Sequence, residues 1–218
     1  MATWTSRDTT ARKSVDRSLQ VVDDLLSYMS TTKGKPSKQE RAIFAAAVVF
    51  SYGVWESYVE ELAIELVTEL SKAIDAGRVP EGVRKFLEEG SAWEMNVHPG
   101  WRDFWINRVK VTAKGEGEKY GLNTARVKQV SSLLKMVGVN DAFKSLPASI
   151  VPPHQIAQVK SVGSAVDELV KLRSEIVHSG SVPTSLRKND AREWRQFVQD
   201  VSTHLDRVCR QECANLLT

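Results

Sequence analysis

An arginine and a histidine five positions apart hold the clearest chemistry in this sequence. They are Arg173 and His178, in the run Leu169-Val-Lys-Leu-Arg173-Ser174-Glu-Ile-Val-His178-Ser-Gly180. A guanidinium offers a planar fork of donors that matches a phosphate and offsets charge building on it. An imidazole exchanges protons near neutral pH and serves as a general acid or base. Position 173 also falls on the apolar stripe of Val162, Val166, Leu169 and Ile176. An arginine in that seam needs a partner or solvent, because an unpaired buried charge is costly. Residues five apart lie about 140° from one another on an ideal helix. The pair meets at one phosphate only if the arginine side chain curls toward the helix end. The alternative reading is a structural ion pair at Arg173 and a C-terminal cap at His178, where cations are favoured.

The elements that must position these residues are helical nearly throughout. Val15, Leu19, Val22, Leu25, Leu26 and Met29 recur at steps of three and four, which predicts an amphipathic helix over Arg7–Met29. Ser37 with Glu40 forms a capping-box signature and opens a long helix to about Asp75. Its first half, Ile43 to Val49, is apolar nearly all round and predicts a buried central helix. Its second half has an acidic face from Glu56 to Glu69. Two further long helices are expected over His154–His178, stopped by Gly180, and over Lys188–Leu216. Ahead of them, residues 78–153 form a less regular helical insert, with short helices over Glu81–Glu89, Trp101–Val111, Thr124–Val137 and Asp141–Leu146. In that insert Trp101, Phe104 and Trp105 share helical spacing with Val109 and are expected to pack inward. No strand-type run is longer than Ala148–Val151. The expectation is one all-α domain over residues 1–218.

Composition narrows the function classes. The chain has 218 residues, with 30 Lys and Arg against 27 Asp and Glu, a formal charge of +3. That total does not by itself announce a nucleic-acid partner. The bases are unevenly placed, however, with eight against three acids between Trp101 and Lys135 and more after His178, including Arg187 and Lys188. Cys209 and Cys213 stand four apart with no second ligand pair, so they read as thiols on a helix face and no metal or cofactor is expected. His98, His154 and His204 do not pair at metal-ligand spacing. The polar opening from Met1 to Lys13 and the short uncharged stretch Ala42–Trp55 predict no signal sequence, no membrane span and a cytoplasmic protein.

The run ending in Arg173, His178 and Gly180 resembles the Arg-x(4–6)-His signature of the HEPN superfamily. The segment from Ala47 to Leu62, with Trp55, Glu56 and Ser57 in succession, resembles the opening core helix of the subgroup associated with RiboL-PSP proteins. The resemblance implies an HEPN-like helical bundle and a metal-independent endoribonuclease, commonly a toxin or antiphage effector. It further implies a homodimer whose two motifs face each other across the seam and form one composite site, sometimes restrained by an antitoxin protein. In that reading His178 handles the proton of the RNA 2′-hydroxyl or of the 5′-oxygen leaving group, and Arg173 holds the phosphate. Glu56 would orient one of the two across the bundle. Lys171, Arg187 and Lys188 would track the RNA backbone. Members most often have Asn after the motif arginine, and this chain has Ser174, which donates one hydrogen bond rather than two. That departure keeps open a second reading, a catalytically silent HEPN-type module that binds RNA or protein.

Overall fold

The computed structural model describes residues 7–29, 35–79, 81–86, 100–117, 119–122, 124–147, 149–150, 153 and 161–218. Helix α1 (Thr10–Ser27) begins where the Thr9 hydroxyl accepts the Arg12 N–H at 3.0 Å. Its first free amides, Thr10 and Ala11, donate to the Glu65 carboxylate at 2.9 and 3.0 Å. A carboxylate from a neighbouring helix thus satisfies donors that no helix can satisfy internally.

Glu65 belongs to α2 (Lys38–Ala73), the axis of the molecule. The expected capping box is formed: Ser37 Oγ accepts the Glu40 N–H and Glu40 accepts the Ser37 N–H. By length and composition α2 is apolar enough to cross a membrane. Most of its large side chains, among them Phe44, Trp55, Tyr58, Leu62 and Leu66, are nonetheless buried in the bundle, Phe50 being the exposed exception among the aromatics. Its acidic second half is largely engaged, with Glu61 bound to Lys114 and Glu69 to Lys72.

After a 3₁₀ turn at Ala76–Arg78 come α3 (Glu81–Phe86) and α4 (Trp101–Lys114). Trp101 and Trp105 stack with centroids 6.0 Å apart, and Trp105 Nε1 donates to the Met136 carbonyl at 2.7 Å. Phe104 departs from the expected inward packing: it is 45% exposed, because helical spacing turns it off the Trp101–Trp105–Val109 face. Arg102 donates to the Ser71 and Ile74 carbonyls at the end of α2, so part of the insert's positive charge closes a helix. A two-residue hairpin, β1 (Gly115–Glu116) with β2 (Lys119–Tyr120), was not expected. Gly121 behind it has no room for a side chain, since a Cβ would meet the Ala113 oxygen at 2.5 Å.

Helix α5 (Val127–Lys135) is shorter than the expected Thr124–Val137. The helix expected over Asp141–Leu146 is a single turn closed by Lys144 N–H to the Asp141 carbonyl at 2.8 Å. Asp141 sits at φ 52°, outside helical space, and Pro147 blocks continuation. Helix α6 (Val162–Ser179) starts at Ser161, whose hydroxyl accepts the Ser164 N–H. The expected residues from His154 to Lys160 lie outside the described residues, as do His98 and much of Ala148–Val151. Helix α7 (Lys188–Leu217) closes the bundle against α1 and α2. Cys209 and Cys213 are buried in it, and burial pushes both thiols up, Cys213 to about 12, which leaves them unreactive. The chain is an all-α bundle whose core surrounds α2.

Candidate functional site

Helix α6 ends as its sequence demands. Gly180 takes the left-handed conformation at φ 60°, and the Ser179 hydroxyl donates to the Glu175 carbonyl at 2.6 Å. The chain beyond is tied to α2, where Arg41 donates to the Val182 carbonyl at 2.9 Å. Further back along α6, Asp167 accepts the Val127 N–H at 3.0 Å. The second tie fixes α6 to α5, while the first brings the C-terminal end of α6 toward the start of α2.

Arg173 is half-buried between the two helices. Its guanidinium carbon lies 5.3 Å from the centre of the Tyr52 ring, a cation–π contact with α2. Its Nε is buried and has no hydrogen-bond partner among the described residues. A ring face attracts a cation but accepts little of its hydrogen-bonding capacity. Arg173 therefore carries both charge and donors that the bundle does not use.

Tyr52 is the residue that sequence reasoning missed. Its hydroxyl donates to Glu56 Oε1 at 2.5 Å and accepts the Ala125 N–H at 3.2 Å. Burial and the Glu56 hydrogen bond hold the phenol protonated far above its ordinary range. Tyr52 thus contacts both residues, Glu56 through its hydroxyl and Arg173 through its ring face, so Glu56, expected to orient Arg173 or His178, reaches Arg173 by way of Tyr52. A tyrosine in an apolar helix gives no sequence signal of this role. Only its position three residues before Trp55 and four before Glu56, on the face toward α6, would have suggested it. One turn on, burial and then the neighbouring Glu56 raise the Glu60 carboxyl to about 7, against the pull of Lys114.

The remaining expected residues divide. His178 is exposed in the last turn of α6, so within one protomer Arg173 faces α2 while the imidazole faces solvent. Ser174 is half-buried beside Arg173. Lys171 is exposed and pairs with Glu168 at 3.4 Å, one turn back on its own helix. Arg187 and Lys188 line a cleft of ≈1310 Å³ that also takes in Gly180 and the first turn of α2. Val177, within the motif, is 48% exposed, and Phe50 is 52% exposed on α2, about 200° round that helix from Tyr52. Among the described residues no three His, Cys, Asp or Glu side chains converge to hold a metal ion.

No curated protein and no solved structure matches the chain. The family model of RiboL-PSP-HEPN matches residues 16–211, which takes in α2, the Arg173–His178 run and most of α7. With nearly the whole bundle covered, the chain belongs to the RiboL-PSP-HEPN family.

Proposed function

We propose that this protein is a metal-independent endoribonuclease whose site is built on Arg173 and His178. HEPN domains are often ribonucleases, commonly bind RNA and often dimerise. The observation that carries the proposal is the half-buried guanidinium of Arg173, faced by a tyrosine ring and paired with no carboxylate among the described residues. A phosphate supplies both the charge and the acceptors it lacks. The 2′-hydroxyl of RNA attacks the adjacent phosphorus, the 5′-oxygen leaves, and a 2′,3′-cyclic phosphate results. His178 takes the hydroxyl proton or protonates the leaving oxygen, and Arg173 offsets charge on the phosphate oxygens.

A second copy of the chain completes the site in this reading. Within one protomer Arg173 faces inward and His178 outward, so facing motifs supply the two groups from different chains. The solvent-exposed Val177 within the motif suits a subunit seam. The physiological role that fits is a cytoplasmic toxin or antiphage effector, restrained by an antitoxin protein. Ser174, which stands where related motifs have Asn, favours the second reading of a silent RNA- or protein-binding module. The test is cleavage of RNA in EDTA. Wild-type protein is expected to yield 2′,3′-cyclic phosphate ends and to arrest growth when expressed, and His178→Ala to do neither. Full activity of His178→Ala, or loss of cleavage in EDTA, contradicts the mechanism; no cleavage with RNA binding retained selects the silent module.

A further inference from the structure

The cleft beside Gly180 collects cations from two parts of the chain about 150 residues apart. Lys35 and the first turn of α2, with Lys38 and Arg41, form one wall; Arg187 and Lys188 at the start of α7 form another. Arg41 is spent on the carbonyl of Val182, but Lys35, Lys38 and Arg187 are exposed, and no ion pair joins them to other described residues. The acid in the lining, Glu40, turns its carboxylate onto the Ser37 N–H at 2.8 Å. Like charges gathered on a concave surface repel one another and concentrate a positive field. The first turns of α2 and α7 add the positive ends of two helices to it.

Of the apolar residues in the lining, the two largest, Phe44 and Leu186, are buried in the protein's own core, which leaves Pro36, Ala42 and Val182 at the surface. A protein partner draws most of its affinity from large aromatic anchors set in pockets, and the one aromatic ring in this lining, Phe44, is already spent in the core. Gly180 and Ser181, which line it, follow His178 by two and three residues, so the cleft opens within a few residues of the motif. We infer that this cleft grips the phosphodiester backbone of the RNA strand flanking the cleaved bond, through its phosphates and with little base preference. This rests on the ribonuclease reading for its place beside His178, although binding is measured apart from cleavage.

The experiment uses the full-length His178→Ala protein, in which the cleft is intact, and a fluorescent single-stranded RNA oligonucleotide titrated over a series of salt concentrations. Affinity is expected to fall steeply with salt, with a log–log slope of about −0.7 per phosphate neutralised. Replacing Lys35, Lys38 and Arg187 together by Gln is expected to weaken binding at least tenfold and to flatten that slope by about 2. Lys72→Gln, at the far end of α2, is expected to change neither. Unchanged affinity and slope in the triple variant overturn the inference, as does binding of an acidic polypeptide in place of RNA. Cleft-dependent RNA binding by a wild-type protein that never cleaves upholds the cleft and refutes the ribonuclease reading. Cleavage by wild-type protein with an unchanged triple variant does the reverse.

Discussion

Arg210 on α7 gives its Nε to Asp206 at 2.7 Å and a terminal nitrogen to Asp8 at 3.2 Å, while Thr9 donates its hydroxyl to the same Asp206. Arg173 on α6 faces a tyrosine ring and leaves its Nε without a partner among the described residues. Both arginines are drawn out of full solvent contact, Arg210 more completely. One is fitted with carboxylates from two segments of its own chain and locks α7 to the segment entering α1. The other is positioned by packing but left chemically unspent. A buried cation whose partners are all supplied internally belongs to the fold. One whose partners are missing is available to an anion from outside.

The largest effect is expected at Arg210. Arg210→Ala strands Asp206, fully shielded at the centre of the bundle, and is expected to cost about 3–5 kcal/mol. In thermal unfolding that is a fall in Tm on the order of 10 °C for a chain of this size. A Tm within a degree of wild type contradicts the structural role assigned to Arg210.

Tyr52 sharpens the comparison at the open site. Tyr52→Phe keeps the ring beneath Arg173 but removes the hydroxyl from Glu56 and strands the Ala125 N–H, at about 1–3 kcal/mol of stability. Cleavage per folded molecule is expected to stay within a few-fold. Tyr52→Leu removes the ring as well and is expected to lower kcat further. Equal kcat in the two variants, compared at temperatures where both are folded, shows that the ring does not position Arg173.

The smallest effect concerns Glu60. Its carboxyl is raised to about 7 in the folded state, so the fold binds a proton that the unfolded chain holds less tightly. Stability from this group is complete below the ordinary carboxylate range and is lost as pH rises toward and through 7. Glu60→Gln is expected to raise Tm at pH 8 and to leave it nearly unchanged at pH 4.5. The same gain at both pH values refutes the assignment.

Much of this was legible in the sequence where local chemistry decides the outcome. Ser37 and Glu40 form their capping box, and Gly180 ends α6 at positive φ, because both depend on residues within a few positions. Arg173 stood out as a charge on the stripe of Leu169 and Ile176, and its half-buried seat on α2 follows from that. What was hidden depends on approaches across the fold. Tyr52 acquires its role only when α6 lies against α2. Lys35 and Lys38 join Arg187 and Lys188 only because Arg41 binds the loop 141 residues further on. Asp141–Leu146 failed for a local reason, since apolar spacing cannot report a left-handed residue ahead of a proline.

The central claim is that Arg173 is kept for a ligand and not for the fold, and a single variant tests it. Arg173→Ala measured for RNA cleavage in EDTA and for thermal unfolding is expected to lose at least ~10²-fold in rate, the scale of removing a transition-state donor. Its Tm is expected to stay within a few degrees of wild type. Undiminished cleavage, or a fall in Tm as large as that of Arg210→Ala, contradicts the claim.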